Sequence, residues 1–246
     1  MNVEIEGHTS RAFDGALSAL HVRVVEMGGL VLLQVREAAN AYTDWDHAAA
    51  QRVLERERGV NAADLAIDAD VLALIARRQP VATDLRAVIA LSKMVSELER
   101  AGDEAKKIAL TVLGRAGRLG ERPGPATARD ARHLAKLAGQ LVRIGLDALD
   151  RLDPQLAAQV VSQDKELDAE YRDGVRRLLT RAMEDVRYFN VALEAAFVLK
   201  SLERIGDHAR NIARLIIDVA EHRHAPAMEP VPSPDPLVSQ PPAAAR

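Results

Sequence analysis

The 246-residue chain contains no cysteine, which excludes disulfides, thiolate metal sites and cysteine nucleophiles. Aromatic residues make up only 3% of it, so the aromatic enrichment typical of strands is missing. Charge is nearly balanced, with 33 basic against 36 acidic residues and a net charge of -3. No cationic surplus exists to neutralise a phosphate backbone, and nucleic acid is not an expected partner. No apolar run approaches the roughly 18 residues of a membrane span, and the opening MNVEIEGHTSRAF is mixed polar rather than a secretory leader. A cytoplasmic protein without direct membrane insertion is expected.

What the chain has is alanine, leucine, arginine, glutamate and valine, with 48% of residues hydrophobic. That mixture favours long helices and is enough to bury a core, so the expected fold is all-α. Punctuation is concentrated in two places. GRAGRLGERPGPATARD, residues 114–130, carries four glycines and two prolines and marks a linker over 116–128. From Ala225 to Arg246 seven prolines crowd a segment that can form neither helix nor core, which predicts a disordered tail. Between these markers the pattern predicts helices over 8–42, 44–79 and 81–114, then over 129–152, 154–183 and 187–223. Thr43 or Asp44 is the expected cap of the second helix, Gln79-Pro80 a helix stop, and Asp153-Pro154 a cap followed by proline at the first helical position. The domains follow as a three-helix unit at 8–115, the linker, and a second at 129–223.

LERAGDEAKKIA (98–109) and LERIGDHARNIA (202–213) are identical at eight of twelve positions, which marks an internal duplication. In the first copy Leu91, Val95, Leu98, Gly102, Ala105, Ala109 and Val112 alternate at steps of four and three. Ala195, Leu199, Leu202, Gly206, Ala209, Ala213 and Ile216 repeat the pattern. This is the seam of a left-handed helical bundle. A glycine on each seam costs about 1 kcal/mol in helix propensity, and close approach of a neighbouring helix backbone is the expected compensation.

Glu99 and Asp103, like Glu203 and Asp207, border the seam one turn apart on one face. Like charges at this spacing are mutually unfavourable. Lys106 and Lys107 beside Asp103, and Arg210 beside Asp207, offer an ordinary charged edge as compensation. Geometry offers another. Glu57 and Asp103, and Asn61 and Glu99, are equidistant from Pro80, so an antiparallel hairpin turning there sets them face to face. In the second half Asp164 faces Asp207 and Asp168 faces Glu203 across a turn near residues 184–187. Each hairpin then gathers four oxygen-bearing side chains, which suit hard cations such as Mg²⁺ or Mn²⁺, or iron in a carboxylate-rich bundle. Asn61 in place of a carboxylate makes the first cluster the expected weaker site. His208 points off the carboxylate face and is not an expected ligand.

MGGL (27–30), VNAADLAID (60–68), RRQPVATDLR (77–86), both ERxGD stretches and DKELDAEY (164–171) together resemble the PhoU family. The resemblance implies two tandem, pseudo-symmetric three-helix bundles, often dimeric, with metal bound through acidic motifs. On this chain it assigns metal binding to Glu99, Asp103, Glu203, Asp207, Asp164 and Asp168, with Glu57 and Asn61 completing the first cluster. It further implies a non-enzymatic negative regulator of phosphate uptake and of the phosphate-starvation response. The implied partners are the ATPase subunit of the phosphate ABC transporter and a sensor histidine kinase, met at the inner membrane. Arg78, Asp84 and Arg86 near the Pro80 turn are candidate partner contacts, although Asp84 equally suits the first turn of a helix.

Two other readings remain at this level. One is a structural adaptor with solvated acidic pairs and no metal. The other is a di-metal carboxylate enzyme, for which a pair of Glu-x-x-His motifs is the mark. One such spacing stands out, Glu221 with His224.

Overall fold

The computed structural model describes residues 11–115 and 120–223. They form six long helices: α1 (Arg11–Asp44), α2 (His47–Arg78), α3 (Ala82–Val112), α4 (Pro125–Arg151), α5 (Pro154–Glu184) and α6 (Phe189–Arg223). A single 3₁₀ turn at Val186–Tyr188 separates the last two. The expected Pro-rich tail, His224 and the linker residues 116–119 lie outside the described residues, as does the expected helix start at residue 8.

Local chemistry explains where the helices begin and end. Asp153 caps α5 by accepting from the backbone N–H groups of Gln155 and Leu156, and Pro154 takes the first helical position. The cap of α2 is Asp46, which accepts from Ala48 and Ala49, and neither Thr43 nor Asp44 has that role. α1 runs on through Asp44, and Trp45 then turns the chain with φ of 60°, which places Asp46 where the free N–H groups point. Gln79 ends α2 in a left-handed conformation and Pro80 prevents continuation. α4 begins at Pro125, four residues ahead of the expected 129, because proline after Gly124 needs no N–H partner there.

Each half is an up-down-up bundle, α1–α3 and α4–α6, and the halves pack together extensively. α1 packs on α4 and α3 on α6, so α1, α3, α4 and α6 form a central four-helix layer, with α2 outside α1 and α3 and α5 outside α4 and α6. Leu146 of α4 fits against Gly28 of α1, where a side chain would overlap it. α1 is long and apolar enough to cross a membrane by composition. Its Val24, Met27, Val31 and Val35 are all fully buried against protein, each contributing about 1.5–3 kcal/mol relative to exposure.

The two halves also share charged contacts. Glu97 of α3 accepts from His208 Nδ1 at 2.8 Å and Asn211 Nδ2 at 3.0 Å of α6. Glu104 of α3, only 4% exposed, accepts from Arg204 at 3.1 Å and from Lys107 at 2.8 Å. Glu104 and His208, which occupy the same position in the two copies, therefore bind the halves together and belong to neither acidic cluster.

Candidate metal centre

The hairpin α2–α3 brings Glu57, Glu99 and Asp103 together, one carboxylate oxygen from each lying within 4.8 Å of the others. The hairpin α5–α6 does the same with Asp164, Asp168 and Asp207. The register about the two turns accounts for both. Asn61 is exposed. Asp64, about one turn further along α2, acts on Glu99 with its charge, after Asp103 and ahead of Glu57. Glu203 sits beside the second cluster, 8% exposed, with both oxygens held by Lys200 at 2.6 and 2.7 Å.

The seam glycines make room for these clusters. A methyl group on Gly102 would face Glu57, Val60 and Gln34, and one on Gly206 would face Asp164, Leu167 and Leu141. The three neighbours correspond position by position in the two halves. The compensation for glycine is therefore close approach of side chains, including one carboxylate each, rather than of a helix backbone.

Electrostatics separate the sites. Burial raises the pKa of Glu99, and Asp103, Asp64 and Glu57 raise it further. Burial likewise raises Asp164 despite the hydrogen bond from Arg210, and raises Glu203 despite Lys200. Among the described residues one oxygen of Asp164, Oδ1, is buried with no hydrogen-bond partner. A buried, unsatisfied carboxylate oxygen is costly as an anion. An all-oxygen set of three carboxylates is the donor chemistry of a hard divalent cation. On both counts the residues fit a metal.

Sequence reasoning missed Gln34. It lies on α1, is fully buried, and donates to Glu57 Oε2 at 2.7 Å and to the Gly102 carbonyl at 3.2 Å. No acidic motif points to it, since it reaches the cluster from a third helix. Of the candidate partner contacts at the other end of this hairpin, Arg78 is exposed, Asp84 lies in the first turn of α3, and Arg86 comes within 3.9 Å of Asp218 on α6.

The PhoU domain matches twice, over residues 24–112 and 129–216. The chain belongs to the PhoU family. Both halves are thus PhoU domains, and the matched segments each contain one acidic cluster. A Pseudomonas aeruginosa protein named as a phosphate-specific transport system accessory protein PhoU homologue is 43% identical over 210 residues, 85% of this chain and 86% of its own length. The Escherichia coli K12 PhoU accessory protein is 37% identical over 215 residues, 87% and 88% of the two chains. The crystal structure of PhoU from P. aeruginosa superposes with a TM-score of 0.80 at 41% identity, covering 85% of this chain and 99% of that one.

Proposed function

We propose that this chain is an accessory protein of a phosphate-specific transport system. It restrains uptake and keeps the phosphate-starvation response off when phosphate is plentiful, acting as a helical adaptor between the transporter ATPase and a sensor kinase at the cytoplasmic face of the inner membrane. The observation that carries this reading is likeness along 85% of the chain to a protein named as a phosphate-specific transport system accessory protein. The hairpin tips suit an adaptor. Val81, Leu85 and Ile89 are exposed beside Arg78 and Arg86, and Val186, Phe189 and Leu193 are exposed at the corresponding tip of the second half.

In the same reading each outer hairpin holds a hard cation, Mg²⁺, Mn²⁺ or iron. Glu57, Glu99 and Asp103 hold the first, and Asp164, Asp168 and Asp207 the second, with Glu203 alongside. A bound cation supplies positive charge that ties α2 to α3 and α5 to α6. A metal-free adaptor is the second reading, favoured by Lys106 and Arg210, which already reach into the clusters.

The test is deletion of the gene in its host, with a phosphate-starvation reporter and phosphate uptake read in high phosphate. The expected result is derepression restored by the wild-type gene. Unchanged reporter output and uptake would sink the regulator assignment. Complementation by Glu203→Ala plus Asp207→Ala, alongside metal analysis of chelator-free protein, separates the two readings. Equal metal content and full complementation would favour the metal-free adaptor.

A further inference from the structure

We infer that Arg210 is a built-in counter-cation that competes with a divalent metal for the second cluster, and that Lys106 is its weaker counterpart at the first. This rests on the reading of both clusters as metal sites.

The two residues occupy the same position of the duplicated helix, three residues past the aspartate of each motif. Lys106 Nζ lies 3.0 Å from Asp103 Oδ1 and 3.4 Å from Glu57 Oε1. Arg210 sets one terminal nitrogen on Asp164 and the other 2.6 Å from Asp207 Oδ1. Each cation therefore bridges α2 to α3 or α5 to α6 through two of the three carboxylates that would hold a metal. A metal among the same carboxylates draws on the negative charge that the side-chain cation already neutralises, and two positive charges at such range repel.

The competitors differ in kind. Lys106 is a point charge on a flexible stem, 37% exposed, and its distances are those of a loose ion pair. Arg210 is a planar fork that takes two carboxylates at once, and its side chain is 22% exposed. The fit around it is incomplete, because Arg210 Nε and the nearby Asp164 Oδ1 are both buried without hydrogen-bond partners. One guanidinium thus leaves a buried carboxylate oxygen of this cluster unsatisfied, which is what a metal would correct. Entry of the metal requires Arg210 to swing towards solvent. Loading is then ordered, the first cluster filling at lower metal concentration than the second, opposite to the order expected from Asn61 alone.

Mn²⁺ titration of the full chain by electron paramagnetic resonance and calorimetry tests this. Glu99→Gln plus Asp103→Asn isolates the second cluster, and Glu203→Gln plus Asp207→Asn the first. In these backgrounds Arg210→Met should tighten Mn²⁺ binding about tenfold or more and Lys106→Met by less, within the usual range of coupling between two sites. Arg210→Lys should fall between Met and wild type, and it guards against loss of fold in the Met variant. Mn²⁺ binding by the wild type with affinity unchanged or weakened in Arg210→Met and Arg210→Lys overturns the competition while leaving the metal reading intact. No Mn²⁺ bound by wild type or by any variant overturns both. Mn²⁺ bound at the second cluster only once Arg210 is replaced supports the competition in its strongest form.

Discussion

Gly206 of α6 faces Leu167 of α5 so closely that a methyl group on the glycine would overlap Leu167 Cδ2. Leu167 is fully buried, so its side chain must shift within the core to admit the methyl group. At the equivalent Gly102 the nearest atoms, Glu57 Oε2 and Val60 Cγ1, stand off at 3.4 Å, an ordinary contact. The two glycines should therefore respond differently to the same change. Gly206→Ala should destabilise by about 1 kcal/mol, overpacking of about 1–3 kcal/mol outweighing a helix-propensity gain of about 1 kcal/mol. Gly102→Ala should be neutral or stabilising by up to about 1 kcal/mol. Urea denaturation of the two variants checks the contrast, and equal effects would refute it.

Glu104 joins the halves of the molecule. Its buried carboxylate accepts from Arg204 across the α3–α6 interface and from Lys107 on its own helix. Arg204→Ala removes the cation from the other half and leaves Glu104 with one partner, at an expected cost of about 1–3 kcal/mol. Glu104→Gln in the same background should recover part of that loss, because a neutral amide is cheaper to bury than an underpaired anion. A double-mutant cycle by chemical denaturation reads the coupling. Additive losses would show that the two residues do not interact.

Glu37 ties α1 to α2. It accepts from Arg52 Nε at 2.6 Å and from Arg56. Burial works to raise its pKa, but the two arginines outweigh burial and hold it below the usual carboxylate range. A carboxylate depressed on folding contributes stability above its unfolded pKa and loses it as pH falls through the folded value. Wild type should therefore exceed Glu37→Gln by about 1 kcal/mol at neutral pH, and the gap should close in acid. Comparing the two proteins removes the opposite contribution of Glu99, Asp164 and Glu203, whose raised pKa values favour folding as pH falls. A gap that stays constant with pH would count against the pairing.

The residues that were legible from sequence are those whose partners follow from counting along one hairpin. Asp103 meets Glu57, and Asp207 meets Asp164, because two antiparallel helices rise equally from a shared turn. The same counting sets Asn61 at the height of Glu99, yet Asn61 is exposed, and the charges that act on Glu99 are those of Asp103, Asp64 and Glu57. Equal height does not fix which face of a helix a residue occupies. Asp153 was legible as a cap because a proline follows it, whereas Asp46 was hidden by two competing candidates and a left-handed Trp45. The pairing of the halves, α1 on α4 and α3 on α6, had no local signal. Its glycine, Gly28, is recognisable only once Leu146 is seen against it.

Gln34 is where the two clusters differ most, and the difference is testable. Its amide nitrogen bonds Glu57 and the Gly102 carbonyl, while its own oxygen is buried without a partner. The corresponding neighbour of Gly206 is Leu141, which offers no donor. Gln34→Leu therefore makes the first cluster resemble the second. It removes a donor from a carboxylate that is 4% exposed, at a cost of about 1–3 kcal/mol, and also removes one unsatisfied oxygen, so the loss should lie near the lower end of that range. Lys106 remains to hold Glu57, and the fold should survive. If the hydrogen bond is the reason for Gln34, the loss should shrink in a Glu57→Ala background, with a coupling energy of about 0.5–3 kcal/mol. Strictly additive losses would instead assign Gln34 a packing role, and Gln34→Met, which keeps the volume without the donor, should then restore wild-type stability.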